Sequence, residues 1–180
     1  MLYVVGAVNG VARLGDIVYV VCANSSTIKT FTDTLSPLAD IHVKGMSDPT
    51  DIVVCRDDRQ LYVADDQKNN SYYIIWRVSV DNKSSYVKWL TIESSTDRFN
   101  VYKLSLTSRR LLVTSWRAPY HLREYSTTDK RLLRVVKMPG YVKQLFHGVE
   151  TTRGTFVIGH QGTSQNEEQR AVSELYSKLL

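Results

Sequence analysis

The chain has 180 residues, of which 43% are hydrophobic, enough to bury a sizeable core in a single domain spanning 1–180. Its formal net charge is +5. No apolar stretch approaches the roughly 20 residues that a bilayer-crossing helix needs, which argues against membrane insertion. Met1 to Val8 is apolar but lacks a basic leading segment and is short for a signal peptide. It reads as a strand that opens mid-pattern, and a cytoplasmic location is favoured over secretion. Sequons at Asn24, Asn69 and Asn82 carry meaning only in the secretory route.

Strand signals follow in order. The first unit (1–45) opens with a strand near Val8 to Ala12, then Ile17 to Cys22, Thr27 to Phe31 and Ile41 to Val43. The second unit (46–92) is the most complete. Pro49 to Cys55 is a strand whose leading Pro is tolerated because no ladder N–H is required there. Arg56-Asp57-Asp58-Arg59 is a polar turn and Leu61 to Ala64 the second strand. Tyr72 to Val80, rich in aromatic and β-branched residues, is the third, and Tyr86 to Ile92 the fourth. The third unit (93–139) repeats the plan with Val101 to Leu106, Leu111 to Thr114, His121 to Ser126 and Leu132 to Lys137. The fourth (140–180) begins with Val142 to Val149 and Thr155 to Ile158.

The tail from Ser164 to Leu180 supports two readings. Ala171, Val172, Leu175, Tyr176, Leu179 and Leu180 recur at helical spacing behind a capping-box pattern at Ser164 and Glu167. Against this, Glu174 to Leu180 echoes the strand sequence of the third unit, which favours the third strand of a fourth unit.

Aligning the second strands on Tyr19, Tyr62, Leu112 and Phe156 gives intervals of 43, 50 and 44 residues. Several short strands per repeat of this length mark β-propeller blades. The expected fold is all-β: a partial propeller of about three and a half four-stranded antiparallel blades. Both ends stop mid-unit, so the chain is expected to be a fragment, its missing blades supplied by a longer chain or a partner.

Met46-Ser47-Asp48-Pro49-Thr50-Asp51-Ile52-Val53-Val54, then Gln60-Leu61-Tyr62-Val63-Ala64-Asp65 and Ile75-Trp76-Arg77-Val78, resembles an NHL repeat. The likeness is good in the second unit and loose in the others, where Leu112-Val113-Thr114-Ser115 and Phe156-Val157-Ile158-Gly159 replace the Tyr-Val-Ala-Asp run. The resemblance implies a propeller used as a protein-binding platform, as an RNA-binding domain, or occasionally as a metal-dependent lyase or hydrolase.

Loops on a rigid scaffold concentrate binding residues. Loops after second strands and between units are expected to gather on one face, bringing together Asp65, Arg98, Trp116, Arg117, Tyr120 and His160 as candidate binding residues. Trp116-Arg117 is the sharpest pair, because a broad ring beside a planar guanidinium contributes area and directed bonds together. A Trp packed between blades is the plainer reading. Asp65 has a plainer role as well, capping a turn through its own side chain.

Between Arg98 and Arg153 twelve Lys/Arg face three acids, Glu124, Asp129 and Glu150. Such a basic excess makes RNA the second candidate partner. Arg109, Arg110, Lys130 and Arg131 fall in turns at the opposite end from Arg98 and Arg117, which weakens that field. His42, His121, His147 and His160 are scattered away from Cys22 and Cys55, so zinc-ligand spacing is missing. G-x-S-x-G, H-E-x-x-H and a phosphate-cradling glycine loop are absent too. The expectation is a non-catalytic module without cofactor or metal that binds a protein partner. A metal-dependent hydrolase, using Asp51 and Asn100 at the channel, ranks third.

Overall fold

The computed structural model describes residues 6–67, 72–93, 99–107, 109–115, 120–139, 142–151, 155–161 and 171–175. Arg98, Trp116 and Arg117 lie outside them. All regular structure among these residues is β, in two compact units, Met1–Glu93 and Ser94–Leu180. No helix among them is long and apolar enough to cross a membrane.

The first unit holds two four-stranded antiparallel sheets, each with strands in sequence order. One consists of β1 (Val8–Leu14), β2 (Ile17–Cys22), β3 (Thr27–Thr32) and β4 (Ile41–His42). The other consists of β5 (Pro49–Cys55), β6 (Gln60–Asp66), β7 (Tyr72–Ser79) and β8 (Tyr86–Glu93). Side chains alternate across a strand. Tyr19 and Val21 therefore share one face of β2 and pack with Ile28 and Ile41 against Ile52, Leu61, Val63, Ile74 and Trp76 of the second sheet. Val20 and Cys22 form a separate buried cluster with Phe31.

The innermost strands of these two sheets approach closely at one glycine. A Cβ on Gly10 would sit 2.8 Å from the Ile52 nitrogen and 2.9 Å from Asp51 Oδ1. Beside it, Asn9 Nδ2 donates to the Pro49 carbonyl at 2.8 Å. Only a residue without a side chain fits such a backbone contact.

The second unit repeats the arrangement. β9 (Val101–Thr107), β10 (Arg110–Ser115), β11 (His121–Ser126) and β12 (Leu132–Lys137) form a four-stranded sheet. β13 (Lys143–Glu150), β14 (Phe156–Gln161) and β15 (Ala171–Leu175) form a three-stranded one. Leu112 and Leu122 pack against Val142, Leu145, Phe156 and Ile158 between them. Ser105 Oγ donates to the Gly148 carbonyl across the same seam.

Pairing register defines the repeat more sharply than the apolar runs do. In the first three sheets the second strand opens five residues before the position that pairs with the start of the inner strand, and in the fourth the hairpin closes one residue earlier, at Thr155. Ile17, Gln60, Arg110 and Phe156 open the second strands, and Cys22, Asp65, Ser115 and Gln161 pair with the first residue of the inner strand. All four inner pairings break register at that same end. The packing faces correct the fourth anchor: Tyr19 and Leu112 face the following sheet of their unit, whereas Phe156 and Ile158 face the preceding one, as Leu61 and Val63 do. Phe156 is therefore not the equivalent of Tyr19, Tyr62 and Leu112; side-chain alternation gives that place to Val157, between Phe156 and Ile158 as Tyr62 is between Leu61 and Val63.

The tail forms a strand, with Ala171–Leu175 pairing antiparallel to β14 from His160↔Ala171 to Phe156↔Leu175. It begins earlier than the echo from Glu174 suggests. Residues 176–180 lie outside the described part.

Candidate functional site at the loop ends

Asp65 is fully buried at the end of β6. A buried carboxylate is costly unless its oxygens are filled by donors. Here the donors come from three places in the chain. Oδ1 accepts the Asp48 N–H at 2.7 Å and the Ser47 N–H at 3.0 Å, both from the segment entering the second sheet. Oδ2 accepts Trp76 Nε1–H at 2.9 Å and the Gln67 side-chain amide. Bonds to an ionised acceptor are about twice as strong as neutral ones. Asp65 thus pins the incoming loop, its own strand end and β7 to one point.

Asp48 extends the arrangement. Its Oδ1 accepts the Asn24 N–H at 2.7 Å, while its own carbonyl accepts the Asp66 N–H at 3.0 Å. Asn24 has φ of 55°, a left-handed conformation that Asn tolerates better than most residues. The β2–β3 loop of the first sheet is therefore held by a side chain that precedes the second sheet. Trp76 closes the site from beneath. It is 2% exposed and meets the Tyr86 ring edge-on at 6.2 Å, and a Cβ placed on Gly45 would come within 3.5 Å of its ring.

The third sheet uses the same position with a different residue. Ser115, fully buried, stands where Asp65 stands, and its Oγ accepts the Asn100 N–H at 3.3 Å. Asn100 thereby corresponds to Asp48. The repeat conserves a job within this chain, an acceptor at the end of the second strand for the entering loop, while its side chain changes.

Of the candidate binding residues, Asp65 has its carboxylate filled by internal donors. It caps the segment that enters its sheet, 17 residues upstream, rather than its own turn. Tyr120 is half-buried, packs at the edge of the third sheet's core, and accepts the Met138 N–H on its carbonyl at 3.1 Å. His160 is 3% exposed and sits within β14, not in a loop. The strand continues past its apolar core to Gln161, and alternation puts His160 on the same face as Phe156 and Ile158.

The basic stretch is partly consumed by its own acids. Glu124, 1% exposed, accepts Arg134 Nε–H at 2.8 Å and Arg110 Nη1–H at 3.0 Å. Glu150 accepts Arg134 Nη2–H at 3.2 Å and the Thr107 hydroxyl at 3.2 Å. Arg134 also lies over the Phe156 ring, 4.4 Å from its centroid, and Arg123 over Phe99 at 4.0 Å. Sequence reading missed this network. Its signal was present, since Glu124 and Arg134 are directly paired across β11 and β12, but a charge run conceals which members turn inward.

Cys22 and Cys55 are buried free thiols, and burial pushes both thiol pKa values up. Among the described residues no group of three or more His, Cys, Asp or Glu side chains is placed to hold a metal ion.

Sheets of this kind in series define a β-propeller-like protein of about three and a half blades. No family model matches the chain, and no curated protein does. Solved structures match in fold. A chain of Kuenenia stuttgartiensis hydrazine synthase superposes with a TM-score of 0.68 at 16% identity, covering 88% of this chain and 45% of that one. A chain of the nidogen/laminin complex gives 0.65 at 14%, covering 86% and 57%. The chain thus spans about half the length of these two. The computationally designed Ika4 protein gives 0.60 at 16% identity and is covered over 95% of its length by 98% of this chain.

Proposed function

We propose that this chain is a non-catalytic interaction module that binds a protein partner through the loop ends of its sheets, with Trp116, Arg117 and Tyr120 at the centre of the contact. The observation that carries this reading is the buried acceptor at the end of the second strand, Asp65 in one sheet and Ser115 in another, fastening the entering loop. Loops anchored this way form a firm rim on which the intervening sequence is free to specify a partner. Trp116-Arg117 follows Ser115 directly in the chain. The NHL-like run in the second sheet fits the same use. A structurally similar chain comes from a complex of nidogen with laminin, an assembly of two proteins.

RNA binding is the weaker alternative. Arg110 and Arg134 are bound to Glu124 and Glu150, so the formal excess of the basic stretch overstates the field available to phosphates.

The test is affinity capture with wild type and with Trp116→Ala/Arg117→Ala, followed by titration of the strongest partner. Aromatic and Arg hot spots cost about 2 kcal/mol or more on truncation, roughly thirtyfold in affinity. Identical partner sets and affinities for the two proteins overturn the assignment to that face. Retention of single-stranded RNA on filters at low salt, lost as salt rises, would favour the alternative.

A further inference from the structure

We infer that the outer edge strand β12 is a second docking site, independent of the loop ends. It accepts an extended partner segment with an apolar, β-branched centre and acidic ends. β12 lies at the end of its sheet and pairs only with β11 among the described residues. Leu132, Leu133 and Val135 are 44%, 39% and 41% exposed, three large aliphatic side chains on a strand of six residues. Two of the strand's other side chains are occupied. Arg134 reaches Glu124 and Glu150, and Val136 packs on the core. One side of β12 is therefore locked into the fold, while the apolar residues on it are left uncovered.

The backbone tells the same story. Met138 N–H donates inward to the Tyr120 carbonyl at 3.1 Å. Antiparallel pairing alternates inward and outward groups along a strand, so the N–H groups of Lys137 and Val135 point away from β11. They form an unpaired row that an incoming strand can complete.

Charge selects the occupant. Lys130 and Arg131 precede the strand, and Lys137 ends it; all three are exposed. Asp129, next to Lys130 in the chain, is bound to the Arg131 backbone and 3.8 Å from its side chain, while Glu124 and Glu150 are taken up by Arg134. A second copy of β12 laid antiparallel would bring Arg131 and Lys130 towards the partner's Lys137, and a parallel copy would stack like on like. Both arrangements are repulsive. A segment with Glu at both ends meets a cation at each end, and its β-branched centre covers Leu133 and Val135.

The probe is a fluorescein-labelled peptide of about eight residues, matching the strand at ~3.3 Å per residue, with Val-Thr-Val-Thr between pairs of Glu. Its anisotropy is titrated with the full chain. The expected result is saturable binding that weakens with salt. Three changes should each weaken it about tenfold or more: N-methylation at alternate peptide positions, Glu→Gln in the peptide, and Val135→Pro in the protein. The Pro removes an outward N–H and leaves the ladder to β11 intact. The first two need no mutant, so a misfolded Val135→Pro protein does not rescue the idea. No binding, or equal binding of the N-methylated or neutral peptide, overturns it. Self-association without peptide binding, abolished by Val135→Pro, overturns it in favour of a second copy. None of these outcomes depends on Trp116 or Arg117.

Discussion

Asp65→Asn is the sharpest probe of how the second sheet is held. The substitution keeps shape and volume but exchanges one acceptor oxygen for an NH2 group. One side of the wild-type carboxylate faces the N–H groups of Ser47 and Asp48, and the other faces the Trp76 indole N–H. Whichever way the amide turns, its nitrogen confronts a buried donor. Each lost bond to a charged acceptor is worth about 1.5–3 kcal/mol, and a donor left unsatisfied costs about as much. Relief from burying a charge offsets part of this. The expected loss is about 2–3 kcal/mol, with Asp65→Ala somewhat worse at ~3–5 kcal/mol. With a urea slope of about 1–3 kcal/mol/M, Asp65→Asn lowers the midpoint by roughly 1 M. The assay is urea unfolding followed by far-UV circular dichroism, with Trp76→Phe as the second arm of a double-mutant cycle. In wild type, Trp76→Phe destabilises by removing a bond to the carboxylate. In the Asn background it relieves the donor–donor conflict, so its cost shrinks by about 1 kcal/mol or more. An Asp65→Asn protein within about 0.5 kcal/mol of wild type, or strictly additive effects, refutes the reasoning.

Other perturbations read other parts of the fold. Burial pushes the Tyr62 hydroxyl pKa up to about 12, so its stabilising effect is fully present below the unfolded value near 10 and is lost as pH rises towards 12. About 2 kcal/mol should disappear across that window, and Tyr62→Phe should flatten the alkaline limb of a stability–pH curve. Gly10→Ala forces a Cβ against the backbone of Asp51 and Ile52 and should cost about 1–3 kcal/mol in chemical denaturation, whereas Gly15→Ala meets no atom within 4 Å and loses only the comfort of its left-handed φ, about 1 kcal/mol. Glu124→Gln takes from Arg134, whose side chain is only 16% exposed, the nearer of its two ionised partners and leaves Glu150. It should lower the stability of the second unit by about 2–4 kcal/mol, visible as faster amide exchange in β10 to β12. Wild-type-like exchange there would refute a structural role for the network.

The strands were legible because sheet formation writes a local code. The continuous apolar run of Ile17–Cys22, the aromatic and β-branched run of β7 and the leading Pro49 all act over a few residues. Tyr19, Tyr62 and Leu112 were recognised as equivalents on hydrophobicity, and pairing confirms those three. Phe156 was misaligned with them because it is buried on the opposite face of its strand, the one that Leu61 and Val63 occupy in the second sheet, and an apolar run buried on both sides does not show which face a residue takes. The tail held helical and strand patterns together, and β14 supplied the partner that made it a strand.

Side-chain roles divide along the same line. Sequence determined that each apolar second strand gives way to a polar loop in a repeating, all-β chain, since periodicity and turn chemistry act between near neighbours. Tertiary structure alone decided what those residues hold. The donors to Asp65 arrive from Ser47, Asp48 and Trp76, and the acids that neutralise Arg134 sit on β11 and β13. Burial strengthens a charge only through the particular groups that folding brings within about 3 Å, and those meetings join positions distant in the chain.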